Sequence, residues 1–367
     1  MNFNSILEND LFNLPKSYNN KTTFRKYLKS AFDEYINILK KIDPSIIQVK
    51  GFTKKNNLKN IIERQEDFIN GILETIDLYY DGKPAAAYFT FKKIIDKRRT
   101  QFKTMLLTNS FEINQDFYRI RINKENFPFA DHEMFHIDFA NRGKVSTQRY
   151  SIPGFPSLYL AKTLYVAWEE LNRPNINDFQ AVRLSNKEPI KYLDLTSSNV
   201  NFEVEEISKE NYKYIMTFPL IIACSIKVKD TNSIFKPEYI IPQILLQWIR
   251  ENEDIDAIKY SSTHLKYDSK KLDDDLFNIV LPVKENKDRG LCSRLKNTFN
   301  MSDIISKQLI DFSSGGDNFF YDCEESAKID KKISSLEIIK GKRLPYSHSI
   351  LGRMELLLEN MPTNEIV

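Results

Sequence analysis

The strongest constraint on this chain is a change of hydrophobic period near Phe111. From Lys21 to about Phe102 the apolar residues recur at helical steps: Leu28, Phe32, Ile36 and Leu39, then Ile61, Phe68, Ile72 and Ile76. A D-G-K-P turn at 81–84 breaks the chain, and Pro84 suits the first turn of a third helix. From Phe111 onward the period falls to two. F-Y-R-I-R-I at 117–122 sets Arg119 and Arg121 on the face opposite Tyr118, Ile120 and Ile122, as a strand does. Two periods need two kinds of core. The expected division is a helical N-terminal domain over 1–110, a strand-bearing domain over 111–290, and a helical or irregular extension over 291–367, where the signal weakens.

The chain has the material for such cores. Its 367 residues are 41% hydrophobic and include 25 Phe and 18 Tyr. Fifty-three basic residues against 50 acidic ones give a net charge of +3, which offers no electrostatic case for nucleic acid or anionic membranes. The K-K-I-I-D-K-R-R-T-Q-F-K run that ends the third helix reads as a solvated helix end. Cys224, Cys292 and Cys323 are odd in number and form no C-x-x-C pair, so a reducing compartment is expected. The first residues lack the basic and apolar regions of a signal peptide. The longest apolar run, F-P-L-I-I-A-C-S-I at 218–226, is roughly half of a bilayer span. The expectation is a soluble, cytoplasmic protein.

Between 149 and 170 the sequence packs a fixed cation, a tight turn, a strand and a helix into one short unit. Gly154 lies between Pro153 and Pro156; S-L-Y-L-A at 157–161 reads as a strand, and Thr163 can cap the helix L-Y-V-A-W-E-E-L. Leu164, Ala167, Trp168 and Leu171 would form the apolar face. At about 100° per residue, Glu170 lies roughly 110° from its centre and Glu169 roughly 150° from it. Glu170 is then the boundary residue able to reach a cleft, and Glu169 faces water. Further strands are expected at 190–195, at 219–228 (apolar enough for the centre of a sheet) and at 257–265 and 277–283, with a Pro-initiated helix over 237–250.

A separate motif reads D-H-E-M-F-H-I at 131–137. On a helix, H-E-x-x-H would place His132 and His136 on one face to bind zinc, with Glu133 as general base. Pro128, Asp138 and Gly143 crowd it, M-F-H-I-D-F alternates like a strand, and no third ligand follows at the usual spacing. A zinc hydrolase is therefore the lesser alternative.

The region 111–283 resembles the RES domain family. Arg149, Gly154, Tyr159 and Glu170 fall at the family's spacings, Y-S-S at 260–262 places Ser262 in its serine position, and Arg119 in F-Y-R-I matches its earlier arginine. The sequence departs from the family at Tyr150, where a Trp is usual, at Ser151 in place of Asn, and at Thr147 and Gln148 in place of glycines; the glutamate can also align on Glu169. The resemblance implies an α+β fold like that of the ADP-ribosyltransferases. It also implies a bacterial toxin that cleaves the nicotinamide–ribose bond of NAD with water or phosphate as acceptor, needs no metal, and is accompanied by an antitoxin.

The residue types suit that chemistry. Cleavage of an N-glycosidic bond passes through an oxocarbenium-like transition state, which a carboxylate such as Glu170 stabilises. Arg149 and Arg119 can hold the pyrophosphate, Tyr159 can stack on the nicotinamide, and Ser262 can hydrogen-bond its amide or ribose. Two further readings stay open: ADP-ribose transfer to a macromolecule, and a binding protein without catalysis.

Overall fold

A computed structural model of the chain describes residues 9–42, 58–100, 103–124, 127–196, 209–264, 275–314, 323–333, 335–339 and 341–366. In chain order its principal elements are α1 (Phe24–Lys40), α2 (Leu58–Tyr80), α3 (Pro84–Asp96), β1 (Thr108–Phe111), β2 (Asp116–Ile122), β3 (Ser157–Ala161), α4 (Leu164–Glu170), β4 (Phe179–Asn186), β5 (Ile190–Leu195), α5 (Lys209–Cys224) and α6 (Ile240–Glu251). Then come β6 (Ala257–Ser261), β7 (Phe277–Pro282), α7 (Ser293–Thr298), β8 (Phe299–Ser302), α8 (Lys307–Ser314), α9 (Cys323–Lys332), α10 (Ile350–Asn360) and β9 (Thr363–Glu365). The fold is α+β. The chain divides into two compact units: Met1–Asn109 with Gln148–Tyr150 and Leu193–Ile249, and Ser110–Thr147 with Ser151–Tyr192 and Arg250–Val367. The chain steps from the first unit to the second after Asn109. The chain then returns to the first unit at 193–249, and 291–366 belong with the second.

The first unit is helical. Thr23 Oγ1 caps α1 by accepting from Lys26 N at 3.3 Å, and the helical-period residues Leu28, Phe32, Ile36 and Leu39 are all buried. Ile61, Phe68, Ile72 and Ile76 of α2 are likewise buried. Gly71 permits the close approach of α2 to α3, because a Cβ there would lie 2.4 Å from Ile94 Cγ2.

Of the run at 219–228, expected as a central strand, residues 219–224 are instead the C-terminal part of α5, which is buried from Asn211 to Cys224 except at Lys213. A continuous apolar run suits a buried strand and a buried helix equally well, and its period cannot separate them. Pro219 lies inside this helix and cannot donate to the carbonyl four residues back. That carbonyl, Ile215 O, accepts from Tyr35 Oη at 2.8 Å and from Gln65 Nε2 at 2.7 Å. Side chains of α1 and α2 thus satisfy the group that the proline strands, which makes the helix tolerable there.

The second unit is organised on a nine-stranded sheet of order β9-β8-β4-β2-β3-β7-β6-β5-β1, with the boundaries between units falling within β1 and β5. The pairs from β9 through to β6 are antiparallel. Alternation gives the sheet two apolar faces. Phe117, Leu158, Leu160, Val182, Leu184, Ile279 and Leu281 point into one core. Tyr118, Ile120, Ala161, Phe179 and Ala181 point into the other, where α4, α9 and α10 pack. β4 has no counterpart among the sequence expectations, and the region after Gly290, expected only as a helical or irregular extension, also supplies the strands β8 and β9. The alternation of M-F-H-I-D-F does not produce a strand: it lies between two 3₁₀ turns, Asp131–Met134 and Phe139–Lys144. The D-D-D-L and S-S-G-G-D-N runs fall largely outside the described residues.

Candidate active site

The site is built on the face of β3, β7 and β6 that looks away from the Leu158, Leu160 and Ile279 core. Because β3 alternates, Ser157, Tyr159 and Ala161 share that face. Register places Tyr159 opposite Val280 and Ala161 opposite Asn278. On the other side of β7, Ile258 stands opposite Val280 and Tyr260 opposite Asn278. Two steps beyond Tyr260 comes Ser262, fully buried, whose Oγ accepts from His264 N at 3.1 Å.

α4 brings the carboxylate. Thr163 Oγ1 caps it through Val166 N at 3.2 Å, as its sequence position suggests. Glu170 Oε1 then accepts from Asn278 Nδ2 at 3.0 Å, so the last turn of the helix is tied to the middle of the strand face. The neighbouring glutamate behaves differently. Glu169 does not face water: it is 4% exposed, and both its oxygens take bonds from Arg173, Oε2 from Nε at 2.9 Å and Oε1 from Nη2 at 2.7 Å. Helix geometry alone sets Glu169 outward, because it takes no account of the residues that follow the helix. Just past the end, Asn172 and Arg173 take positive φ values of 58° and 55°, which turn Arg173 back over Trp168 and onto Glu169.

Tyr159 is half-buried. Burial pushes its hydroxyl up to about 12, against the pull of the Ser151 hydrogen bond and the Arg119 charge. Arg119 Nη1 donates to the Tyr159 carbonyl at 2.9 Å. Its Nε is buried without a hydrogen-bond partner, and burial, then the nearby Arg121 charge, pull the guanidinium down to about 10. Arg149, expected beside Tyr159, belongs to the first unit. There its Nη1 and Nη2 donate to Cys224 O and Ile226 O at 3.0 and 2.9 Å, and it stands 5.5 Å from the Tyr239 ring. Tyr159, Glu170 and Ser262 therefore share one face in the second unit, Arg119 starts from the opposite face and reaches the Tyr159 backbone carbonyl, and Arg149 is engaged in the first.

The H-E-x-x-H residues do not form a metal site. His132 lies on a 3₁₀ turn that ends at Met134 and His136 lies past it, so the two do not share a helical face, and His132 is exposed while His136 is buried. His136 Nε2 accepts from Cys292 N at 2.8 Å and Nδ1 lies 2.8 Å from Ile137 O, so both ring nitrogens are occupied. Burial pushes the imidazole down to about 4, and it stays neutral. Glu133 caps its own turn through Ala130 N at 3.0 Å. Among the described residues no cluster of three His, Cys, Asp or Glu could hold a metal.

A cavity of about 550 Å³ beside this motif is lined by Lys287, Arg289 and Lys296 with Asp138 as its carboxylate. Asp138 Oδ1 is already taken by Ala140 N and Gly290 N. The cavity is lined mainly by cations and contains none of the residues expected for glycosidic chemistry, and the β3–β7–β6 face is the better candidate.

A protein of Bacillus subtilis (strain 168) named "Putative toxin YopC" is 34% identical to this chain over 350 residues, spanning 90% of the chain and 75% of that protein. The chain belongs to the YopC family. No family model and no solved structure matches it. The similarity to YopC extends over nine-tenths of the chain.

Two residues of the site escaped the sequence reading. Asn278 had a signal, a single amide within the apolar strand F-N-I-V-L-P. Arg173 stands four residues after Glu169, the spacing of a helical ion pair.

Proposed function

We propose that this YopC-family chain is a toxin of the RES type that breaks the nicotinamide–ribose bond of NAD, on an ADP-ribosyltransferase-like core. The observation that carries the reading is the contrast between adjacent glutamates. Glu169 is neutralised by Arg173, whereas Glu170 is held by the neutral amide of Asn278 and has no ion pair among the described residues. A carboxylate fixed in place but not neutralised is what a developing oxocarbenium ion requires. The toxin name of the relative supports the biological role.

In this reading the C1′–N bond breaks with its electron pair passing to the nicotinamide nitrogen. Glu170 faces the positive charge that develops on the ribose, and Asn278 holds the carboxylate in orientation without adding charge. Tyr159 lines the nicotinamide pocket, and Ser262 borders it. Arg119, a desolvated cation with a carbonyl partner and no ion pair among the described residues, takes the pyrophosphate. Water or inorganic phosphate then bonds to C1′ and gives up its proton. The reading also places the protein in the cytoplasm, where NAD is abundant, under the control of an antitoxin protein.

The test is nicotinamide release from NAD by the purified chain, with and without phosphate. The expected result is stoichiometric nicotinamide with wild type and none with Glu170→Gln. Label from NAD accumulating on protein or nucleic acid instead would assign ADP-ribose transfer. No nicotinamide under any condition would remove the reading.

A further inference from the structure

Helix α4 is seven residues long, too short to hold its own direction, because a helix of two turns is marginal without tertiary support. Its start is gripped from the C-terminal part of the chain. Glu355 of α10, fully buried, accepts from Leu164 N through Oε2 at 2.8 Å. The same oxygen takes the Tyr346 hydroxyl at 2.8 Å, and Tyr346 Oη in turn accepts from Tyr165 N at 3.2 Å. Lys332 of α9 donates to Glu355 Oε1 at 2.8 Å and also to Glu359, whose Oε1 takes the Tyr118 hydroxyl at 3.0 Å. Two amides of the first turn of α4, which no helix can satisfy internally, are thus bonded to one buried network reaching β2, α9 and α10.

This is more than packing needs. Thr163 already caps Val166, and Leu164, Val166 and Ala167 supply the apolar contacts. An apolar residue at 355 would suit that core without a buried charge pair to desolvate. What the network adds is direction: it fixes the axis whose other end carries Glu170. We propose that Glu355, with Lys332 and Tyr346, is a positioning residue for Glu170, and that the C-terminal helices are working parts of the active site. The inference rests on the NAD-cleaving reading of that site. A displacement of about 1 Å at a reacting group can cost on the order of a hundredfold in rate.

The experiment uses the full chain with Glu355→Gln, which keeps the volume and removes the charge, and Tyr346→Phe, which removes one hydroxyl. Two quantities are read: kcat and KM for nicotinamide release, and amide hydrogen exchange across the protein. In Glu355→Gln, kcat should fall about ten- to a hundredfold with KM within about threefold of wild type. Exchange should quicken at Leu164–Glu170 while the rest of the second unit stays protected. Tyr346→Phe should show the same pattern, smaller. Folded variants with unchanged kcat would overturn the inference, as would loss of protection spread evenly over the unit, which marks a purely structural role. If wild type releases no nicotinamide, it is the NAD reading that fails. The exchange pattern then decides the tether alone, and unchanged protection of α4 in both variants refutes it.

Discussion

Glu170 and Asn278 join the last turn of α4 to the centre of the β3–β7–β6 face through one 3.0 Å hydrogen bond from amide to carboxylate. One residue earlier, Glu169 is closed off by Arg173. The pair of glutamates is thereby divided into one that holds the chain and one that can act.

That division predicts opposite phenotypes. Glu170→Gln should reduce nicotinamide release by about a hundredfold or more with no loss of stability. Glu169→Gln should retain most activity. It removes an ion pair whose glutamate is buried and whose arginine is half exposed, so some loss of stability is expected where Glu170→Gln shows none. Steady-state rates and urea melts on both variants decide it; the reverse pattern would move the catalytic role to Glu169.

Asn278→Asp places a second carboxylate at hydrogen-bonding distance from Glu170. Like charges raise the pKa of such a pair, so the ionised form needed for catalysis is lost at higher pH than in wild type. The acidic limb of the pH–rate profile should shift upward, while Asn278→Ala lowers the rate without shifting the limb. An unchanged limb in Asn278→Asp would show that Glu170 does not ionise in the rate-limiting process.

Arg119 stands in the free protein as a desolvated cation. Its folded pKa, near 10, lies below that of the unfolded chain, so the folding penalty is present below about pH 10 and relieved above it. Arg119→Met should leave the melting temperature unchanged or higher at neutral pH, yet raise KM for NAD tenfold or more. Pyrophosphate should raise the melting temperature of wild type and not of the variant. A destabilised variant with normal KM would assign Arg119 to structure alone.

His136 supplies a pH dependence of stability. Its folded pKa, about 4, lies below the unfolded value of 6.5. As pH falls from 6.5 toward 4 the unfolded chain takes up a proton that the folded one refuses, and stability is lost with it. The loss approaches about 3 kcal/mol, at roughly 1.4 kcal/mol per pH unit of pKa difference. Urea midpoints measured from pH 7 to pH 4 should fall more steeply in wild type than in His136→Gln. Added zinc should change neither curve, because both imidazole nitrogens are already bonded.

What could be read without coordinates were the features set by local rules. The helical period placed α1, α2 and the Pro84 start of α3; alternation placed β2; short apolar runs placed β3, β5 and β7; a capping threonine placed α4. Each depends on a few neighbours along the chain, so short windows suffice. The same windows failed where burial is complete, and α5 passed for a strand because an all-apolar run erases both periods. They failed again at H-E-x-x-H, where the letters fit a helix that the flanking turns do not allow.

The sequence by itself determined which residues are chemically able to act: the adjacent glutamates after a capped helix start, the tyrosine on an alternating strand, the arginine of β2 and the hydroxyl after Tyr260. Only the tertiary structure decided how they are used. It gave Arg149 to the carbonyls of Cys224 and Ile226, closed Glu169 with an arginine turned back by two left-handed residues, and set Asn278 under Glu170 from a strand more than a hundred residues away. It also fastened α4 to Glu355 from a helix nearly two hundred residues on. Periodicity reports which face of an element is apolar. Which polar group will stand opposite that element is settled by strand register and helix packing, and those exist only when distant segments meet.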